Sequence, residues 1–467
     1  MAKSGTFFLI ILFFIPELLT GQNQDSLLYR KRANELARTG MQLYNEGRFV
    51  EYLDTFKLVL DYRKKGFGNE DYMLGAAYSA IGIGYRNLGE YNRALDFFEL
   101  AEKSYFLREN PSLGSLAALY RNISNVYRAK LDYNTAFEYS RQALGYRLQE
   151  NQEDKYYVYE AYYGVAEIYN LMGELQSALN ILTENYNNTD IVNRFYFSEL
   201  LAILYQRLGI YEKADFFYNT AVEQSKTLFG NDHMQVAIEY IKYSEFLAET
   251  QNFEKGMQVL DLAFEIITKY ETTKGLQISE YFEYKGDLIK SKPIATENIT
   301  SFRQQKKQNL DEAIEFYNES LYALYTGEGE VKLDKLTIDN CLSFTDCMIL
   351  LKTMADTYGE MALLDKEEKD NFYEESLEEA LRYYKVIGGL IQRARMEISS
   401  DESKIQLAQL EYSTFEKTIE TAYLVYALNQ EEDYLELAFE NSEQLKSSAV
   451  FDRISNDLAQ ENSLIPD

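Results

Sequence analysis

Tryptophan is absent from this 467-residue chain, histidine occurs once, cysteine twice and proline four times. Each scarcity excludes some chemistry. Zinc asks for three or four ligands from His, Cys and carboxylates, and a single histidine, His233, with two cysteines is too thin a supply. A Cys–His dyad would have to bring His233 beside Cys341 or Cys347, more than a hundred residues away. No serine or carboxylate sits in a recognisable nucleophile motif. The acidic run "DKEEKDNFYEESLEEA", residues 365–380, lacks the 12-residue loop with a central glycine that calcium needs, and reads as a solvated loop and helix face. No catalytic residue, metal site or cofactor is expected.

Positive charge is also in deficit. Lys and Arg number 47 against 75 Asp and Glu, a net charge of −28 and a pI near 4.6. Nucleic-acid affinity comes mostly from Lys and Arg on phosphate, so nucleic acid and anionic membrane surfaces are poor partners. Long apolar runs are missing beyond the start. "MAKSGTFFLIILFFIPELLTG" has one lysine, an apolar run from Phe7 to Ile15 and a polar exit. That order reads as a secretory signal over residues 1–21, too short to span a bilayer well. The expectation is an exported chain, periplasmic or secreted, free of the membrane after cleavage near Thr20 to Gln22.

Aromatic residues are plentiful, with 41 Tyr and 27 Phe. They recur in a pattern. "AIGIGYRNLGEYNRALDFFELA", residues 80–101, holds Gly82, Gly84 and Gly89. It is no phosphate loop, because Asn87 stands where a third glycine is needed and Glu90 and Tyr91 follow Gly89. Stepping from Ala94, the positions Tyr52, Ala94, Ala136 and Ala178 are 42 residues apart; Ala214 follows after 36, Gly256 after 42 and Ala313 after 57. Three residues before this marker stands Phe49, Tyr91, Tyr133, Leu175, Tyr211, Phe253 or Leu310. Five before it stands glycine four times: Gly47, Gly89, Gly173 and Gly209. A fixed period of this length signals a solenoid or propeller. Within a unit, Ala94, Phe98 and Ala101 share one helix face, as do Tyr78, Ile81, Gly82 and Tyr85. Each unit is therefore helix A, a glycine turn and helix B.

Small, glycine, aromatic and alanine in that order in paired helices resembles the tetratricopeptide repeat (TPR), whose basic length is 34 residues. The 42-residue period, with "FGNDHMQVA" at 229–237, resembles the longer kinesin-light-chain variety. The resemblance implies an all-α TPR α-solenoid, a right-handed superhelix of about seven repeats over residues 27–330, followed by long C-terminal helices. Leu131 and Gln251 depart from it by replacing the turn glycine. Residues 291–309 are an insertion in the seventh unit, either a flexible loop or an early extension of helix B, and a candidate secondary contact. His233 falls in the loop between the fifth and sixth units as a docking residue.

The TPR resemblance further implies that the A helices line a binding groove. Counting back about 15, 11 and 8 residues from each marker gives Ser79, Ile83 and Arg86, then Arg121, Asn125 and Arg128. The fourth unit gives Tyr163, Glu167 and Asn170, and the fifth Glu199, Ile203 and Gln206. Arg pairs bidentately with carboxylates, so three groove arginines point to an acidic or carboxylate-bearing protein or peptide partner. Arg121 and Asn125 also match the basic-then-Asn pair of the carboxylate clamp in chaperone-binding TPR proteins. The clamp's next Asn is missing, since Gly164 stands there.

Beyond residue 330 the period is lost. Long helices are expected over roughly 333–364, 371–398, 402–428 and 431–459. Residues 331–467 resemble the segment that precedes the protease-like domain of bacterial CHAT proteins (caspase-like domain associated with TPRs). Ala438, Phe439, Glu440, Glu443 and Lys446 match that family's pattern, while Ser447 replaces its usual alanine. The resemblance implies a sensor part whose catalytic half lies beyond Pro466 and Asp467, with no peptidase activity in these residues. The expected function is an exported scaffold that binds protein through its concave groove; the sensor half of a CHAT peptidase and the TPR part of a sensory regulator are the alternatives. If "NCLSFTDCMILL" is helical, Cys341 and Cys347 lie on different faces about 9 Å apart along the axis, and two buried thiols are expected. Oligomeric state is left open.

Overall fold

The computed structural model describes residues 24–45, 47–69, 71–150, 155–271, 273–337, 340–365, 372–397 and 401–446. The expected signal over residues 1–21, Ser447, Pro466 and Asp467 lie outside the described residues. The chain falls into two compact units, one of residues up to Asn231 together with 399–403 and one of residues from Asp232 to 398 and from Lys404 onward.

Five antiparallel hairpins build the first unit: α1 (Gln24–Asn45) with α2 (Phe49–Phe67), α3 (Gly75–Asn87) with α4 (Tyr91–Tyr105), α5 (Leu113–Ala129) with α6 (Tyr133–Gln149), α7 (Tyr156–Leu171) with α8 (Leu175–Asn185), and α9 (Ile191–Arg207) with α10 (Tyr211–Phe229). The second unit pairs α11 (Met234–Glu249) with α12 (Phe253–Ile267), α13 (Leu276–Lys290) with α14 (Ile299–Leu324), and α15 (Phe344–Asp365) with α16 (Phe372–Glu397). It ends in α17 (Asp401–Asn429) and a helix α18 over 432–446. Among the described residues there is no β-strand, only an isolated bridge between Tyr325 and Cys341. No helix among them is long and apolar enough to cross a membrane.

The small residues of the repeat are packing devices. In three hairpins the A helix carries a glycine opposite the aromatic four residues past the marker. A Cβ at Gly40 would lie 2.6 Å from Phe56, one at Gly82 2.5 Å from Phe98, and one at Gly286 2.5 Å from Tyr317. In two others a serine stands at that place on the A helix and bonds to the marker's carbonyl. Ser124 donates to the Ala136 carbonyl at 2.7 Å, and Ser244 to that of Gly256 at 2.9 Å. The markers Tyr52, Ala94, Ala136, Ala178, Ala214 and Ala313 are fully buried.

One turn closes the first six hairpins. After α9, the Gly209 N–H reaches the Gln206 carbonyl at 2.9 Å and the Ile210 N–H reaches Tyr205 at 2.8 Å, the bond pair of a Schellman motif. Gly47, Gly89, Gly173 and Gly209 hold φ between 70° and 80° there. Leu131 and Gln251 make the same bonds at φ 62° and 61°, a left-handed conformation that a side chain opposes.

Three sequence expectations change. The insertion resolves in favour of the helix: Asn298 caps α14 by accepting the Ser301 N–H at 2.9 Å, and residues from Ile299 onward are its first turns. Its Lys306 already pairs with Glu360 at 2.9 Å. The helix expected over 333–364 begins only at Phe344. The Asn340 side chain accepts from the Thr337 N–H at 2.8 Å and donates to the Lys335 carbonyl at 2.9 Å, so it satisfies the backbone of a turn in place of a helix. Cys341 consequently precedes the helix and is only partly buried, while Cys347 is fully buried, which corrects the expectation of two buried thiols on one helix. His233 caps α11, its Nδ1 accepting the Gln235 N–H at 3.1 Å.

Candidate functional site

In the first unit the A helices α3, α5, α7 and α9 neighbour one another in sequence order. Arg121, Asn125 and Arg128 fall at i, i+4 and i+7, hence on one face of α5. Arg121 pairs with Glu160 and Arg128 with Glu167, both across to α7. These are half-buried pairs, and burial raises the Glu160 carboxyl above its ordinary value although Arg121 opposes that. The helix-to-helix ion pairs are a feature the sequence-level site lacked. Two of its three arginines already hold carboxylates of the chain itself.

Arg86 is different. Its guanidinium donates to the Asn122 side-chain oxygen at 3.1 Å and to that of Asn87 at 3.5 Å, both neutral amides. Burial lowers its pKa, and Arg121 and Arg128 push the same way while Tyr44 and Tyr52 oppose. The three arginines therefore share one patch, and the innermost has no carboxylate against it among the described residues. Asn125 makes no hydrogen bond among the described residues, so its amide stands free between Arg121 and Arg128. A Cβ built at Gly164, the position of the missing clamp asparagine, would meet only the Ser140 hydroxyl, at 3.6 Å.

The rest of the sequence-predicted face is acidic and aromatic. Burial lifts the Tyr163 hydroxyl well above the usual phenol value, helped by Glu167 and Glu199 and opposed by Arg128. Tyr163 thus joins α5, α7 and α9 in one polar row. Asn170 is used internally, its side-chain and backbone oxygens accepting from Arg207 at 2.5 and 2.6 Å. Gln206 accepts from Tyr218 at 2.5 Å. Ile83 is buried and Ile203 half-buried, and Ser79 is half-buried beside them on α3.

The second unit carries an A-helix face that the sequence reasoning missed. Glu245 and Glu249 of α11, Glu280, Glu283 and Asp287 of α13, and Asp346 of α15 line two adjoining cavities of ≈ 500 and ≈ 350 Å³. Burial raises the carboxyls of Glu245, Glu280 and Asp287. Glu283 is pushed up to about 7, first by burial and then by Asp287, Asp346 and Glu280. The signal was present but displaced. Counting back from Ala313 lands in the insertion, whereas counting from Gly286, which meets Tyr317 as Gly82 meets Phe98, lands on Glu283, Asp287 and Lys290.

Paired antiparallel helices with small-for-aromatic contacts and glycine turns define an all-α solenoid of TPR-like hairpins followed by long C-terminal helices. The structure is similar to the apo quorum sensor NprR from B. thuringiensis, at 15% identity and a TM-score of 0.50, over 77% of this chain and 87% of that one. It also matches a Rap protein complexed with competence and sporulation factor, at 12% identity and a TM-score of 0.46, over 81% and 90% of the two chains. Kinesin-light-chain TPR-like repeats from Podospora anserina match at 14% identity and a TM-score of 0.30, over 54% and 100%. At such identities the likeness concerns the fold alone. No family model matches the sequence, and no curated protein matches it.

Proposed function

We propose that this chain is a non-catalytic scaffold that binds an acidic, carboxylate-bearing segment of a protein on the A-helix face around Arg86, Arg121, Asn125 and Arg128. The observation that carries this reading is Arg86, a half-buried guanidinium held only by amide oxygens and flanked by two more arginines. A ligand carboxylate there would supply the missing counter-charge and accept from the free Asn125 amide. Charge-assisted bonds of this kind are about twice as strong as neutral ones. The pairs to Glu160 and Glu167 hold Arg121 and Arg128 in place, which limits the ordering cost of binding.

We further propose that the chain is exported, on the strength of the apolar run Phe7 to Ile15, and that it is the N-terminal sensor part of a CHAT-domain protein. The support for the latter is the pattern Ala438, Phe439, Glu440, Glu443 and Lys446, which falls on α18. Sequencing the N-terminus of the exported protein checks the first, and an in-frame continuation with separated His and Cys motifs in the genomic DNA checks the second.

The binding reading is tested by panning a random peptide library on the full chain. Enriched peptides should be rich in Asp and Glu, should bind more weakly as salt rises, and should be lost to Arg86→Met. Enrichment of acidic peptides that Arg86→Met binds equally well puts the site elsewhere.

A further inference from the structure

Cys341 and Cys347 are six residues apart, and a continuous helix would hold them on different faces. The structure breaks the helix between them. Cys341 forms the bridge with Tyr325, and the backbone on either side is fixed: the Thr326 N–H reaches the Asn340 carbonyl and the Leu342 N–H reaches the Leu324 carbonyl, each at 2.8 Å. Ser343 then starts α15, its carbonyl accepting the Cys347 N–H at 3.0 Å. The turn folds the two sulfurs back on each other. Cys347 lies in the apolar core of α14, α15 and α16, and Cys341 packs against that same core from its edge, its S–H reaching the Asn340 side-chain oxygen at 3.9 Å. Both are free thiols here.

We propose that Cys341 and Cys347 are a redox-active pair that forms a reversible disulfide in the folded protein, stapling the end of α14 to the first turn of α15. Their exposures assign the roles. Cys341 is partly exposed and meets the oxidant first; Cys347 is buried and resolves. The neighbouring Cys347 thiol favours the Cys341 thiolate, while Cys341 and burial disfavour that of Cys347. Thiolate, and not thiol, attacks a disulfide.

The co-reactant is a small disulfide such as oxidised glutathione. The Cys341 thiolate attacks one sulfur of that disulfide, breaking its S–S bond and releasing one glutathione thiolate. The Cys347 thiol then gives its proton to solvent or to the released thiolate, and its sulfur attacks the mixed disulfide at Cys341. The protein S–S bond forms and the second glutathione leaves. The two cysteines lose two electrons and two protons, and glutathione disulfide gains them.

Closeness in sequence alone would allow a bridge in the unfolded chain, so the test isolates the contribution of the fold. The full chain is equilibrated in graded mixtures of reduced and oxidised glutathione, with and without denaturing urea. It is then acid-quenched, alkylated and weighed intact. The folded chain should form one internal disulfide with an equilibrium constant at least about tenfold above that in urea, equivalent to about 30 mV. Cys341→Ser, a change at the partly exposed position, should leave Cys347 unmodified. Equal constants in the two states, or a wild-type chain that stops at glutathione on Cys341, overturns the proposal.

Discussion

Gln251 and Gly209 occupy the same place in two hairpin turns, and exchanging their residue types should shift stability in opposite directions. Both make the Schellman bond pair: Gln251 to Ala248 at 3.0 Å with Asn252 to Leu247 at 2.7 Å, and Gly209 to Gln206 with Ile210 to Tyr205. Their φ values are 61° and 70°. Gln251 is exposed, so little packing is lost on removing its side chain. Nothing lies within 4 Å of a Cβ built at Gly209, so a side chain there meets only its own backbone strain. A left-handed conformation costs a non-glycine residue about 1–2 kcal/mol. Glycine gives back about 0.4–1 kcal/mol through the entropy of the unfolded chain. The net is about 0.5–1 kcal/mol, stabilising for Gln251→Gly and destabilising for Gly209→Gln. Repeat arrays open locally, so amide hydrogen exchange is the suitable assay. Exchange in α11 and α12 should slow about two- to fivefold in Gln251→Gly, and exchange in α9 and α10 should quicken by a similar factor in Gly209→Gln. If Gln251→Gly speeds exchange, or Gly209→Gln leaves it unchanged, the turn strain inferred here is wrong.

Other consequences can be measured alongside. Glu283 is raised to about 7 in the fold, so the fold favours its protonated form. Its contribution to stability is fully present below the ordinary carboxylate range and is lost as pH rises through about 7. Urea unfolding of the second unit should therefore show stability falling between about pH 4.5 and 7.5, with Glu283→Gln flattening that fall and gaining on the order of 1–3 kcal/mol at pH 8. A Gln variant with an unchanged pH profile contradicts the assignment. Gly82→Leu drives a side chain into the Phe98 ring and should destabilise by about 1–3 kcal/mol. In a Phe98→Ala background the same change should cost less, and simple additivity in thermal melts argues against the contact.

The fold was legible because it repeats. A marker such as Ala94 means little once, but recurrence at Ala136 and Ala178, with Gly89 and Gly173 five residues before Ala94 and Ala178, fixes both helices and the turn between them. Where the period breaks, the sequence pattern no longer marks the helices. The insertion moved Ala313 away from its A helix, so Glu283 and Asp287 escaped notice. Asn340 was hidden in a stretch with helical apolar spacing, because its side-chain bonds to Thr337 and Lys335 are local chemistry that periodicity does not record. The face around Arg86 was visible as residue types. Its electrostatics were not, because Arg121 to Glu160 and Arg128 to Glu167 span 39 residues, three short of the period. That offset depends on how adjacent A helices are staggered, which only the packed structure supplies.

The arginine face of the first unit is proposed to bind an acidic segment. Hydrogen exchange of the full chain, with and without an acidic peptide selected by panning, locates that face directly. Exchange should slow in α3 and α5, and Arg86→Met should abolish that protection. Protection confined to α11 and α13, or selection of Lys- and Arg-rich peptides in place of acidic ones, would contradict the proposal.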